Sequence, residues 1–179
     1  MKNKDFLKEC IGEAIFELME EKSYNKITID DIIARAGVSR ATWFRKFNTK
    51  EEAICFIMNK KWNDWLIKKD ITDYTKINFT DANFSFNFFL EHKKYCVKMH
   101  KAGLQHLFIK NFIYTIQSMN TEDVLSIYVK NFFGLAFFGV VNCWIERDFK
   151  ESIPELQEYT NIISSFITKK DLTLDQNLN

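Results

Sequence analysis

The sequence predicts an all-α protein: a three-helix N-terminal helix-turn-helix unit followed by a longer helical body. Three observations predict it. Five Gly and one Pro in 179 residues are very few helix breakers. Apolar residues recur at helical spacing through most of the chain. Residues 27–50, ITIDDIIARAGVSRATWFRKFNTK, read as two short helices set across a tight turn. The division falls at residues 1–48 for the first unit and 49–179 for the body, and 179 residues are enough to bury a sizeable core.

From residue 4 to about 22, Phe6, Leu7, Cys10, Ile11, Ala14, Ile15, Leu18 and Met19 make one apolar stripe with Lys and Glu opposite. This first helix is placed to pack over the two that follow. Ile29, Ile32, Ile33 and Ala36 share one face of the next helix, and Thr28 with Asp31 is a capping-box start. Gly37 stops that helix in the left-handed conformation, which carries no steric penalty without a Cβ. Val38 plugs the turn. Ser39 caps the second short helix, Arg40 to Phe47, with Trp43 and Phe47 inward and Arg40, Ala41, Thr42, Arg45 and Lys46 on the other face. Such a pair, joined by a Gly-containing turn, is the plan whose second helix enters a DNA major groove.

Thr49 with Glu52 opens a long helix to about Lys69, with Ala53, Ile54, Ile57, Met58, Trp62, Trp65 and Leu66 apolar. Residues 70–79 read as a loop. Thr80 caps a helix to about Lys93, with Phe84, Phe88 and Phe89 inward and Phe86 off that face. A short helix from Tyr95 to Lys101 ends at Gly103, and Leu104 to Met119 follows. Residues 122–147 are apolar on every face, and a helix apolar all round is buried all round. In so small a chain that calls for a second subunit. Ser152 with Glu155 caps a last helix to about Thr168, with Pro154 harmless in its first turn. The tail after it is expected to fray.

Charge is uneven along the chain. There are 14 Lys/Arg against 11 Asp/Glu in residues 1–69, 8 against 7 in 70–147, and 3 against 6 in 148–179. Arg35 to Lys50 holds five cations and no acid, the island a phosphate backbone attracts. The expected DNA contacts are Thr28, Ser39, Arg40, Ala41, Thr42, Phe44, Arg45, Lys46 and Lys50. Arg40, Ala41 and Thr42 lie nearest base edges, and Thr28, Ser39, Arg45, Lys46 and Lys50 nearest phosphates.

The run TIDDIIARAGVSRATWFRKFNTKEEAI resembles the DNA-binding segment of TetR/AcrR-type transcriptional regulators. The likeness lies in the Thr/Ile entry, the Ile-Ala-x-x-Ala-Gly-Val-Ser core, the Thr-aromatic-aromatic helix ending in Phe, and the Lys-Glu-Glu start of the next helix. With the first helix it covers about a third of the chain. Phe44 stands where the family usually has Tyr, and it lacks the hydroxyl that could bond a phosphate oxygen. The segment FFGVVNCWIERDFKESIPELQEY resembles the C-terminal region of a subgroup that includes regulators of dihydroxyacetone-kinase operons. The resemblance implies a homodimer on a palindromic operator, with the last two long helices of each subunit as the interface and the body as a ligand domain.

The residues expected at that interface are Phe133, Phe137, Gly139, Val140, Trp144, Tyr159, Ile163 and Phe166. A pocket for a small-molecule effector would draw on Phe86, Tyr95, Met99, His100, His106, Phe108, Tyr114, Tyr128 and Trp144, which supply rings and polar tips. Each could equally be core filling. The alternative to a DNA-binding regulator is an all-helical protein-interaction module that no longer reads DNA.

Enzyme, metal and membrane readings find little support. Cys10, Cys55, Cys96 and Cys143 show no C-x-x-C spacing and fit reduced thiols of a cytoplasmic protein. His92, His100 and His106 show no i, i+4 ligand pair, and no glycine-rich phosphate loop or nucleophile elbow is present. Asp30-Asp31 and Glu51-Glu52 read as solvated first-turn acids complementing helix dipoles. No signal peptide is visible, and the run FFGLAFFGVV at 132–141 is too short by itself to span a bilayer. No cofactor is expected.

Overall fold

The computed structural model describes residues 5–71, 82–110 and 123–169, and everything regular in them is helical. Helix α1 spans Phe6–Glu21, a short 3₁₀ turn Tyr24–Lys26, α2 Ile29–Ala36, α3 Arg40–Lys46 and α4 Lys50–Lys68. The body adds α5 at Ala82–Glu91, α6 at Lys93–Lys101 and α7, which begins at residue 105 and is described to 110. It ends with α8 at Val124–Glu146 and α9 at Ile153–Lys169.

Local chemistry accounts for the helix ends. Thr28 and Asp31 form the expected capping box, with Asp31 N donating to Thr28 Oγ1 at 3.1 Å and Thr28 N donating to Asp31 Oδ2 at 2.8 Å. Gly37 ends α2 at φ 63°. Ser39 and Thr49 cap α3 and α4 by accepting from Thr42 N and Glu52 N, each at 3.1 Å. Ser152 and Glu155 open α9 in the same way. The expected loop 70–79, the Thr80 cap and the break at 120–121 lie outside the described residues, apart from Asp70 and Ile71. So do most of the 104–119 segment and the tail. Between α5 and α6 the break is a single residue, His92, whose Nδ1 lies 2.9 Å from the Phe88 carbonyl oxygen. Helix α5 therefore ends earlier than the spacing predicted, and α6 starts earlier.

Helix α1 is the hub. It lies against α2, α4 and α6, and its Ile11, Ala14, Ile15, Phe16 and Leu18 are buried with Ile32, Trp43, Ile54 and Ile57. At Gly12 the crossing with α4 is so close that a Cβ would sit 2.7 Å from Ile57 Cβ and 3.3 Å from the Ala53 carbonyl oxygen. Polar ties join α1 to the body. Lys98 donates to the Phe16 carbonyl at 2.9 Å and pairs with Glu20. Tyr95 donates to Glu13 Oε2 at 2.8 Å, and Lys61 holds the other Glu13 oxygen at 2.6 Å.

Helix α8 departs from its expectation. Its C-terminal half buries Phe138, Val141, Trp144 and Ile145 against the chain's own helices, whereas Leu125, Tyr128, Phe132 and Phe133 in the first half are exposed. The run at 132–141 is part of a 23-residue helix that is long and apolar enough to cross a membrane by length and composition. The run's length therefore gave no ground for excluding a span. Four buried side chains seat its C-terminal half on α5 and α6.

Gly12→Ala should destabilise the fold. Overpacking costs about 1–3 kcal/mol, while Ala in place of Gly gains at most about 1 kcal/mol in helix propensity. Urea unfolding should show a lower midpoint than the wild type, and an unchanged or higher midpoint would contradict the close crossing.

Candidate nucleic-acid interface

Helix α3 sits on the head with Trp43 fully buried and Phe47 nearly so, their rings 6.0 Å apart. At 100° per residue, Ala41 and Arg45 lie opposite that pair, with Phe44 on one flank and Thr42 on the other. Ser39, Arg40, Ala41, Phe44 and Arg45 are exposed, and Thr42 and Lys46 half-buried.

The five cations of the island do not share one role. Arg35 turns back to α1 and pairs with Glu21 at 2.6 Å and Glu17 at 3.5 Å. Arg40 reaches Asp30 on α2 at 3.2 Å. Lys50 donates to the Tyr24 and Ile27 carbonyls at 3.0 and 2.9 Å and lies 4.1 Å over the Tyr24 ring. Its ammonium clamps the start of α4 to the turn before α2. Arg45 and Lys46 have no ion-pair partner among the described residues, at the α3 end where the helix dipole favours positive charge.

The hydroxyls expected at phosphates are also engaged. Thr28 Oγ1 donates to Asp31 Oδ2 at 2.7 Å, and Ser39 Oγ lies 3.0 Å from Thr42 Oγ1. The acid pairs are not simply solvated. Asp31 pairs with Lys22 at 2.7 Å, Glu51 accepts the Tyr24 hydroxyl, and Glu52 accepts from Asn48 N at 2.8 Å. Burial first, and then the Glu51 carboxylate, push the Tyr24 phenol far above its ordinary range. That turn was missed in the sequence. A Tyr four residues before Thr28 was its one visible sign.

Eight of the nine residues expected around an effector lie among the described residues, and they differ in burial. Phe86, Met99, Phe108 and Trp144 are packed core. Trp144 meets Phe86 edge-on and Phe149 at a tilt, and its Nε1 donates to the Glu151 carbonyl at 2.9 Å. It belongs to the subunit interior, not to an interface. Tyr95 is spent on Glu13, His100 Nδ1 lies 2.9 Å from Gln105 Nε2, and His106 and Tyr128 are exposed. Tyr114 lies outside the described residues.

Of the residues expected at the dimer interface, Phe133, Gly139, Tyr159 and Ile163 are exposed, and Val140 is half-buried. Phe137 leans inward on Phe86 at 5.2 Å. The Phe166 side chain lies outside the described residues. No group of His, Cys, Asp and Glu suited to a metal occurs among the described residues. Cys96 is buried, which pushes its thiol up to about 12.

A three-helix head, a glycine turn and an outward helix with cations at its end make up a helix-turn-helix unit. Residues 11–53 match the family model of bacterial regulatory proteins of the tetR family. That match takes in most of α1, all of α2 and α3, and the opening of α4, and it supports a tetR-family regulator. No curated protein matches the chain.

Asp31 gives this head an acid-sensitive joint. The Lys22 ammonium first, and then the Thr28 amide and hydroxyl, hold its carboxyl well below the usual range. A carboxylate depressed by folding contributes stability above its unfolded value of about 4 and loses it as pH falls toward the folded value. Thermal melts followed by circular dichroism should therefore fall more steeply below about pH 4 for the wild type than for Asp31→Asn. Parallel curves would remove Asp31 from the account.

Proposed function

We propose that the protein is a cytoplasmic, homodimeric transcriptional regulator, not an enzyme, that binds a palindromic operator and answers to a small-molecule effector. The observation that carries the DNA reading is α3, where Arg40, Ala41 and Arg45 are exposed and neither Arg45 nor Lys46 has an ion-pair partner among the described residues. One such helix reads only a few base pairs, and two related by a dyad read a palindrome. Support for the dimer is the exposed apolar surface of α8 and α9, notably Phe133, Tyr159 and Ile163, together with residues 122–147 being apolar on every face. The likeness of the C-terminal segment to regulators of dihydroxyacetone-kinase operons supports a place near that subgroup.

Effector control rests on the ties between body and head. Helix α6 holds α1 through Lys98 and Tyr95, so a ligand that shifts α6 would move α1 and α4 with it. Such a ligand must favour one head spacing over the other to change DNA affinity. Trp62 and Trp65 on α4, stacked at 5.5 Å, are placed to report that movement by fluorescence.

Gel shifts on the region upstream of its own gene test the DNA reading. Arg40→Ala should cost about 1–3 kcal/mol and relax preference at one base position, while Arg45→Ala and Lys46→Ala should each flatten the salt slope by about one unit. Identical profiles for all three would contradict this division, and no sequence preference at all would leave the protein-interaction reading.

A second measurement isolates the dimer. A Cβ on Gly139 meets no described atom within 4 Å, so Gly139→Glu disturbs nothing inside the described subunit while placing a charge on each side of a two-fold seam. Analytical ultracentrifugation should find a wild-type dimer and a folded Gly139→Glu monomer. A wild-type monomer at micromolar concentration would end the palindrome argument.

A further inference from the structure

We propose that Phe44, seated beside Ala41, reads thymine 5-methyl groups in the major groove and sets the sequence preference of the recognition helix; this rests on the regulator reading above. Phe44 lies 55% exposed on α3, whereas Trp43 and Phe47 of the same helix are buried. Helical spacing sets Phe44 one turn after Ala41, so the ring and the methyl form one small apolar patch. Arg40 and Arg45 border it, each one turn or one residue from Phe44.

Those neighbours identify the occupant. An apolar patch bordered by guanidiniums, one of them without an ion-pair partner among the described residues, suits a polyanion better than an apolar protein surface. A phenyl ring has no hydrogen-bonding atom. It can therefore hold neither a phosphate oxygen nor a polar base edge, and the thymine methyl is the apolar group that the major groove presents. Arg45 supplies position and charge, Arg40 its own base contact, and Phe44 with Ala41 supplies discrimination between thymine and cytosine.

The test uses the full-length protein and duplexes it selects from a random pool. Each thymine of the selected half-site is replaced in turn by deoxyuridine, which pairs alike but lacks the methyl, and Kd is measured by fluorescence anisotropy. Deoxyuridine at one or two thymines should weaken wild-type binding about fourfold per half-site, the worth of one buried methyl. Phe44→Ala should lose that sensitivity, while Phe44→Leu should keep it. The wild-type deoxyuridine series decides alone if Phe44→Ala fails to fold. Selective binding that is indifferent to deoxyuridine at every position, or a selected site with no fixed thymine, overturns this inference and leaves the regulator reading standing. Failure to select any sequence overturns both.

Discussion

Everything in this molecule that could present a helix to DNA depends on how closely α1 crosses α4. Gly12 lets Ile57 and the Ala53 carbonyl approach where any side chain would hold them off. That contact fixes the long helix α4 against the bundle that carries α3. Because α1 also touches α2 and α6, it links the head to the body. They share one helix. The polar contacts of Glu13, Glu20, Lys61, Tyr95 and Lys98 run across the same surface, so α6 cannot move far without pulling on α1.

The charge on the head is economical. Three of the five cations in the island are spent inside the protein: one on α1, one on Asp30, one on a pair of carbonyls. These contacts place α2, α3 and the start of α4 relative to one another. Arg45 and Lys46 at the end of α3, beside an exposed ring, have no ion-pair partner among the described residues. A small module of two short helices gains rigidity this way, because its apolar core is limited to a few side chains around Ile32 and Trp43.

The head was largely legible in the sequence because its signals are local. Caps at Thr28, Ser39 and Thr49, the glycine stop at Gly37 and the inward Trp43–Phe47 pair need only neighbours within a turn. The fate of Lys50 was not legible, since its carbonyl partners lie more than twenty residues away. Nothing local in the sequence marks Gly12, and only the path of α4 reveals its purpose. In the body, Trp144 looked like a polar-tipped ring for a ligand or a partner. Its actual acceptor, the Glu151 carbonyl, is created by a corner in which Asp148 and Phe149 both take positive φ. Periodicity cannot foresee that turn. For Phe86, spacing placed the ring off its helix's main face, and the structure supplies the neighbours, Phe137 and Trp144, that cover it.

The pairing of Arg40 with Asp30 has a thermodynamic consequence. If DNA takes Arg40, the guanidinium exchanges a carboxylate for a phosphate, and the ions released are those condensed on the DNA. Asp30 is then left facing a polyanion and must find a cation or water of its own. The salt dependence of binding would therefore count phosphates gained less internal pairs surrendered. For this head that figure falls below the number of cations on its outer face. In the free protein Asp30 already lies 3.2 Å from Arg40, an exposed pair that competes only weakly with any polyanion.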